Sequence, residues 1–268
     1  KLNCCITFTD QTCTMKYILP ILILCLFASC KPKASSNTIE LDADMHTYSN
    51  YKEVYTTHLN WKASIDFVRR QIKGSATWQF VNKDKKPYIH FDTYDLSIQK
   101  VFVNNKEVQF FTTPFHKDYG SGVSVPIEDE DSIVRFEYNT GPQAIALQWL
   151  TPQQTAGKKL PYLFTQCESI YTRSLMPCQD VPAIRITYDA FVQVPKGMMA
   201  IMSADNPTER SADGNYTFKM GIPIPPYLIA LAVGDISYKA IDARSGVYTE
   251  PSMLDAATEE LSDIPNMM

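Results

Sequence analysis

The fold is decided by HLNWKASIDF, His58–Phe67, where Leu59, Trp61, Ala63, Ile65 and Phe67 take every second position with mostly polar residues between. Successive side chains of an extended chain point to opposite faces, so this spacing predicts a strand with one buried and one wet face. Working outward, ATWQFV (76–81) repeats the pattern and NKDKKP (82–87) reads as a turn. In VFVNNKEVQFF (101–111), β-branched and aromatic runs flank Asn104 and Asn105. Asparagine tolerates the left-handed conformation of a tight turn, so a hairpin is predicted there. SIVRFEY, IRITYDAFVQV, MMAIMSA, YTFKM and YLIALAVGDISY continue at turn-separated intervals. The chain is therefore expected to be mainly β, an antiparallel sandwich or saddle of stacked sheets.

The character changes after Tyr248. Pro251 suits a first helical turn, and Met253, Leu254, Ala257 and Leu261 recur at helical spacing. With the last residue, Met268, close behind, this reads as the start of an α-rich domain cut short. Glu128–Asp131 reads as a solvated acidic loop, because a calcium loop needs alternating ligands and a glycine that are missing here. With 45% hydrophobic residues the 268-residue chain has material for a large core, which excludes global disorder. A net charge of -4 and no basic stripe with interleaved aromatics give no reason to expect a nucleic-acid partner.

The N-terminal region reads as an address. In MKYILPILILCLFASC (Met15–Cys30), Lys16 precedes an apolar run from Tyr17 to Phe27, followed by Ala28 and Ser29. This is the order of a secretory signal peptide, and the run is shorter than the ~20 residues of a membrane span. Cys30 after Phe-Ala-Ser resembles the lipobox of bacterial lipoproteins, with Phe27 where leucine is usual. That resemblance implies lipid attachment at Cys30 and an exported, membrane-anchored protein facing the periplasm or the cell surface. Polar KPKASSN after it suits a tether. Residues 1–14, with Cys4, Cys5 and Cys13, precede Met15 and read as upstream sequence. Of seven cysteines only Cys167 and Cys178 fall in the globular part. They read as a pair of buried thiols, with one disulfide open in an oxidising compartment.

Three blocks between Ala146 and Pro195 carry further information: LQWLTP (147–152), PYLFTQCESIYTR (161–173) and PCQDVPA (177–183). VPKGMMAIMSA (194–204) and IPPYLIALAVGD (224–235) follow. In order and spacing they resemble the N-terminal domain of the gluzincin zinc aminopeptidases, the family of aminopeptidase N, aminopeptidase B and leukotriene-A(4) hydrolase, and most closely the last two. The resemblance implies a zinc exopeptidase acting on peptide N-termini, and the division of the chain follows from it. Residues 1–29 are upstream residues and signal, 30–46 a lipidated tether, 47–236 the N-terminal β domain, and 237–268 the start of a catalytic domain.

The family's HExxH and GxMEN motifs do not occur, and the only histidines are His46, His58, His90 and His116. Each reads as a surface or strand residue, so zinc is expected in the full-length family enzyme and not on the residues present. What the resemblance does place here is the family's QxE element, Gln166-Cys167-Glu168, as substrate-binding residues, with Glu168 gripping the free α-ammonium. Leukotriene-A(4) hydrolase has glutamine at that position, so Glu168 favours peptides over epoxides. Asp180 and Pro182 read as a structural turn and Arg173 as a structural ion-pair or hydrogen-bonding residue. The expected partners are peptide substrates, the missing catalytic domain and a membrane. A stand-alone β-sandwich lipoprotein that binds peptides or glycans without catalysis is the alternative.

Overall fold

A computed structural model describes residues 44–142 and 144–268; the expected signal peptide, Cys30 and most of the expected tether (30–46) lie outside them. Alternation sets the strands, and turn residues separate them. In chain order they are β1 (Val54–Asp66), β2 (Gln71–Asn82), β3 (Tyr88–Thr93), β4 (Leu96–Val103), β5 (Lys106–Val108), β6 (Phe111–Thr112), β7 (Ser121–Pro126) and β8 (Ile133–Thr140). The second half adds β9 (Leu147–Leu150), β10 (Tyr162–Thr165), β11 (Ile186–Gln193), β12 (Met199–Met202), β13 (Asn215–Ile224), β14 (Leu231–Gly234), β15 (Ser237–Ala240) and β16 (Gly246–Thr249). Two short helices, α1 (Leu254–Glu260) and α2 (Ile264–Met267), follow Pro251.

Seven strands form one large sheet in the order β13-β11-β1-β2-β8-β4-β5. A four-stranded sheet, β12-β14-β10-β9, and a three-stranded sheet, β3-β7-β6, accompany it, with β15-β16 as a separate hairpin. One buried cluster joins the three larger sheets: Leu59, Trp61, Trp78 and Phe136 of the large one, Ile89 and Val123 of the three-stranded one, Leu163 and Val233 of the four-stranded one. Phe91 of β3 meets Phe136 of β8 edge to face at 4.8 Å, an arrangement the ring quadrupoles favour. Trp61 donates its indole N–H to Tyr138 Oη at 2.9 Å. The Tyr138 ring lies against Gly74, where an added Cβ would come within 2.4 Å of it.

The mainly β expectation holds, with three refinements. Among the described ladders one pair, β1 with β11, runs parallel, because β11 returns to the large sheet after a long excursion through the smaller ones. The Asn104–Asn105 hairpin forms, both residues with positive φ (43° and 70°), but its second strand ends at Val108. Phe111 crosses to the three-stranded sheet. YLIALAVGDISY is two strands in different sheets, β14 and β15.

Candidate substrate-amine site

The QxE element lies just beyond β10. Thr165 Oγ1 accepts the Leu231 N–H at 2.9 Å, and the Gln166 N–H donates to Ala146 O at 2.9 Å. Alternation then continues for one more step: Gln166 and Glu168 are exposed, and Cys167 between them is buried. The chain turns back there, with the Tyr171 N–H donating to Cys167 O at 2.9 Å. The peptide bond between Glu168 and Ser169 is cis. Gln166 does not reach outward with both of its ends. Its Oε1 accepts the backbone N–H of Glu168 at 3.0 Å, so its carbonyl braces the turn. The Glu168 carboxylate is exposed, and no described cation pairs with it. Phe164 and Tyr171, both 39% exposed, flank it in the chain.

Behind this turn sits a buried ionic cluster. Arg173, in the single 3-10 turn that follows, is 1% exposed. Its backbone N–H and Nε both donate to Asp180 Oδ2, at 3.1 and 3.2 Å. Nη2 donates to Asp180 O, and Nη1 donates to the carbonyls of His46 and Tyr119. Asp92 stands 3.7 Å from Nη2 and accepts from Thr47 Oγ1, Tyr48 N and Asp180 N. Two carboxylates thus share one guanidinium out of water. Burial pushes the Asp180 carboxyl up to about 6, with Arg173 pulling the other way. Burial likewise raises Asp92 against the pull of Arg173.

Sequence reading gave Arg173 and Asp180 their structural roles but missed Asp92, Thr47 and Tyr48. Asp92 carried a signal: an acidic residue inside the strand run YIHFDT, where a buried charge needs a partner. Gln179 completes the frame by bonding the backbone at the start of β1, just before its irregularity between Thr56 and His58, accepting from Thr56 N and donating to Val54 O. Trp78 holds the same loop through Pro177 O at 2.8 Å.

Cys167 and Cys178 are both free and buried, which settles the pair as thiols. Burial lifts Cys167 to about 12 and Cys178 well above its ordinary value, so neither is a ready thiolate. The histidines have ordinary partners. His58 bonds Thr187 and faces Asp189, His90 bonds Ser124, and His116 stacks on Tyr119. Among the described residues no three His, Cys, Asp or Glu side chains come together as metal ligands. These residues do not make a zinc site. Two open hollows of about 460 Å3 lie on the outer face of the large sheet, sharing Lys62 and Phe191. Neither includes Gln166 or Glu168.

The profile of the peptidase M1 N-terminal domain matches residues 34–228. Leukotriene A-4 hydrolase from Xenopus laevis is 35% identical over 237 residues, covering 84% of this chain and 39% of that protein. Leucine aminopeptidase 2 from Yarrowia lipolytica is 36% identical over 214 residues, covering 78% and 33%. The native yeast LTA4 hydrolase structure superposes with a TM-score of 0.77 at 32% identity, over 85% of this chain and 36% of that one. An M1 zinc metallopeptidase from Deinococcus radiodurans shares the fold alone, with a TM-score of 0.55 at 21% identity over 73% and 46%. This chain spans 39% and 33% of the length of these two curated relatives. With the match to residues 34–228 covering more than half of its length, the chain belongs to the peptidase M1 family, by that family's N-terminal domain.

Proposed function

We propose that the chain is the substrate-amine-holding N-terminal domain of a zinc-dependent aminopeptidase that removes residues from peptide N-termini. The observation that carries this reading is Glu168, an exposed carboxylate without a described cation partner on a turn braced from both sides. An enzyme cutting from the amino end must count from the α-ammonium, and a fixed carboxylate holds an ammonium by charge-assisted hydrogen bonds. The peptide ammonium donates to the Glu168 oxygens. Gln166 keeps its carbonyl on the Glu168 amide and turns its NH2 group toward the peptide. Glutamate in this place favours peptides over lipid epoxides. Cleavage, and the zinc that M1 relatives use for it, belongs to residues other than those described, and by themselves these residues bind without cutting.

The test is a titration of the chain with leucinamide and with N-acetyl-leucinamide, followed by backbone amide NMR. Leucinamide is expected to shift Gln166–Tyr171 with millimolar affinity, about 4 kcal/mol. The acetylated form, and the Glu168→Gln variant with either ligand, are expected to show no such shift. Equal shifts from both ligands would sink the reading. The pattern Met15–Cys30 supports export and lipid attachment at Cys30. Labelled palmitate should enter the parent protein and be absent from Cys30→Ala; equal labelling of both would refute the anchor.

A further inference from the structure

Four stretches far apart in sequence meet at the Asp92–Arg173–Asp180 cluster, and the first is a short strap, His46–Tyr48. It supplies the Thr47 hydroxyl to Asp92 Oδ2 at 2.6 Å and the Tyr48 N–H to Asp92 Oδ1 at 2.7 Å. It also supplies the His46 carbonyl to Arg173 Nη1 at 2.9 Å. Asp92 is 0% exposed, and of the hydrogen bonds that neutralise it only the Asp180 N–H comes from elsewhere. The strap is therefore most of what makes a buried carboxylate tolerable beside its distant guanidinium partner.

Arg173 is the link from this strap to the turn. Its carbonyl accepts the Tyr94 N–H at 2.8 Å, and its own N–H is held by Asp180. The 3-10 turn that contains it starts at Thr172, one residue past Tyr171, whose N–H closes the turn carrying Glu168. We infer that the strap His46–Tyr48 is a positioning element for Glu168. Seated on Asp92 and Arg173, it holds the Gln166–Tyr171 turn in the conformation that presents the carboxylate, and unseating it frees the turn while the sheets stay folded. Thr47, Asp92 and Arg173 act through the turn and touch no substrate. The role assigned to Glu168 rests on the proposed function; the mechanical coupling of strap to turn does not.

The experiment is native-state hydrogen exchange on the whole chain as parent, Thr47→Val and Thr47→Ser, with no peptide added. Valine keeps the shape and removes the donor to Asp92, while serine keeps the hydroxyl. Losing one hydrogen bond to a buried charge is expected to speed exchange of the Tyr171, Leu175 and Tyr94 amides about tenfold. The β1 and β2 amides should be unchanged, and serine should restore the parent rates. Unchanged turn amides in Thr47→Val would overturn the inference. So would uniform acceleration across β1 and β2, or equal effects of valine and serine. A turn that responds in this way but ignores leucinamide would remove the proposed function and leave the coupling in place.

Discussion

Asp180 shows how much of the site was written in single residues and how much was not. Its place in PCQDVPA marks a structural turn, and Arg173 reads as a structural ion-pair or hydrogen-bonding residue whose partner the sequence leaves open. Nothing local announces that Asp92, some ninety positions upstream, would be the third member, because burial of a strand residue depends on what the rest of the chain lays over it. The titration of Asp180 gives the cluster a pH signature. Arg173 and Asp92 face it directly, and Cys178 and Cys167 share its surroundings. Burial raises its carboxyl from 3.8 to about 6. The folded state then holds the proton more tightly than the unfolded chain. The stabilising contribution is full below the unfolded value and is lost as pH rises through the folded one. The melting temperature of the parent minus that of Asp180→Asn is thus expected to fall between about pH 4 and 7. Subtraction removes the exposed carboxylates common to both proteins. Parallel melting curves would mean that the proton sits elsewhere.

Among elements, the Asn104–Asn105 hairpin was legible because its chemistry is local. Two residues with positive φ join β4 to β5, and Asn104 also ties the turn to the acidic loop, donating to Asp131 Oδ1 at 2.8 Å and accepting from Ile133 N. Asn105→Ala should cost about 1–2 kcal/mol, the left-handed penalty for a residue with Cβ. A urea midpoint lowered at unchanged slope would register it. No change in midpoint would show that the turn adopts another form at no expense. Period two in His58–Phe67 was legible for the same local reason, and Leu59, Trp61, Ala63 and Ile65 are all buried. Strand partners were not. The pairing of β1 with β11 and the passage of Phe111 into another sheet are settled by what each edge finds in space, and sequence period carries no record of that.

At the scale of the molecule, the buried cluster that runs from the large sheet into both smaller ones predicts one cooperative unfolding event for the described body. Trp61 and Trp78 report from its centre at 1% and 0% exposure. Tryptophan fluorescence and far-ultraviolet circular dichroism should give superimposable urea curves, and separated midpoints would divide the body in two. The order of blocks from Leu147 to Asp235 was enough to name the family, since a sequence keeps that order when a fold is shared. The parallel pair sets a clock as well. Strand β1 is made early, but Thr187, the partner of His58, follows it by 129 positions. At about 5–20 residues per second, synthesis leaves that side of β1 without its neighbour for on the order of ten seconds. A bare strand edge invites strangers, so this side of β1 is open to mispairing until the second half of the chain arrives.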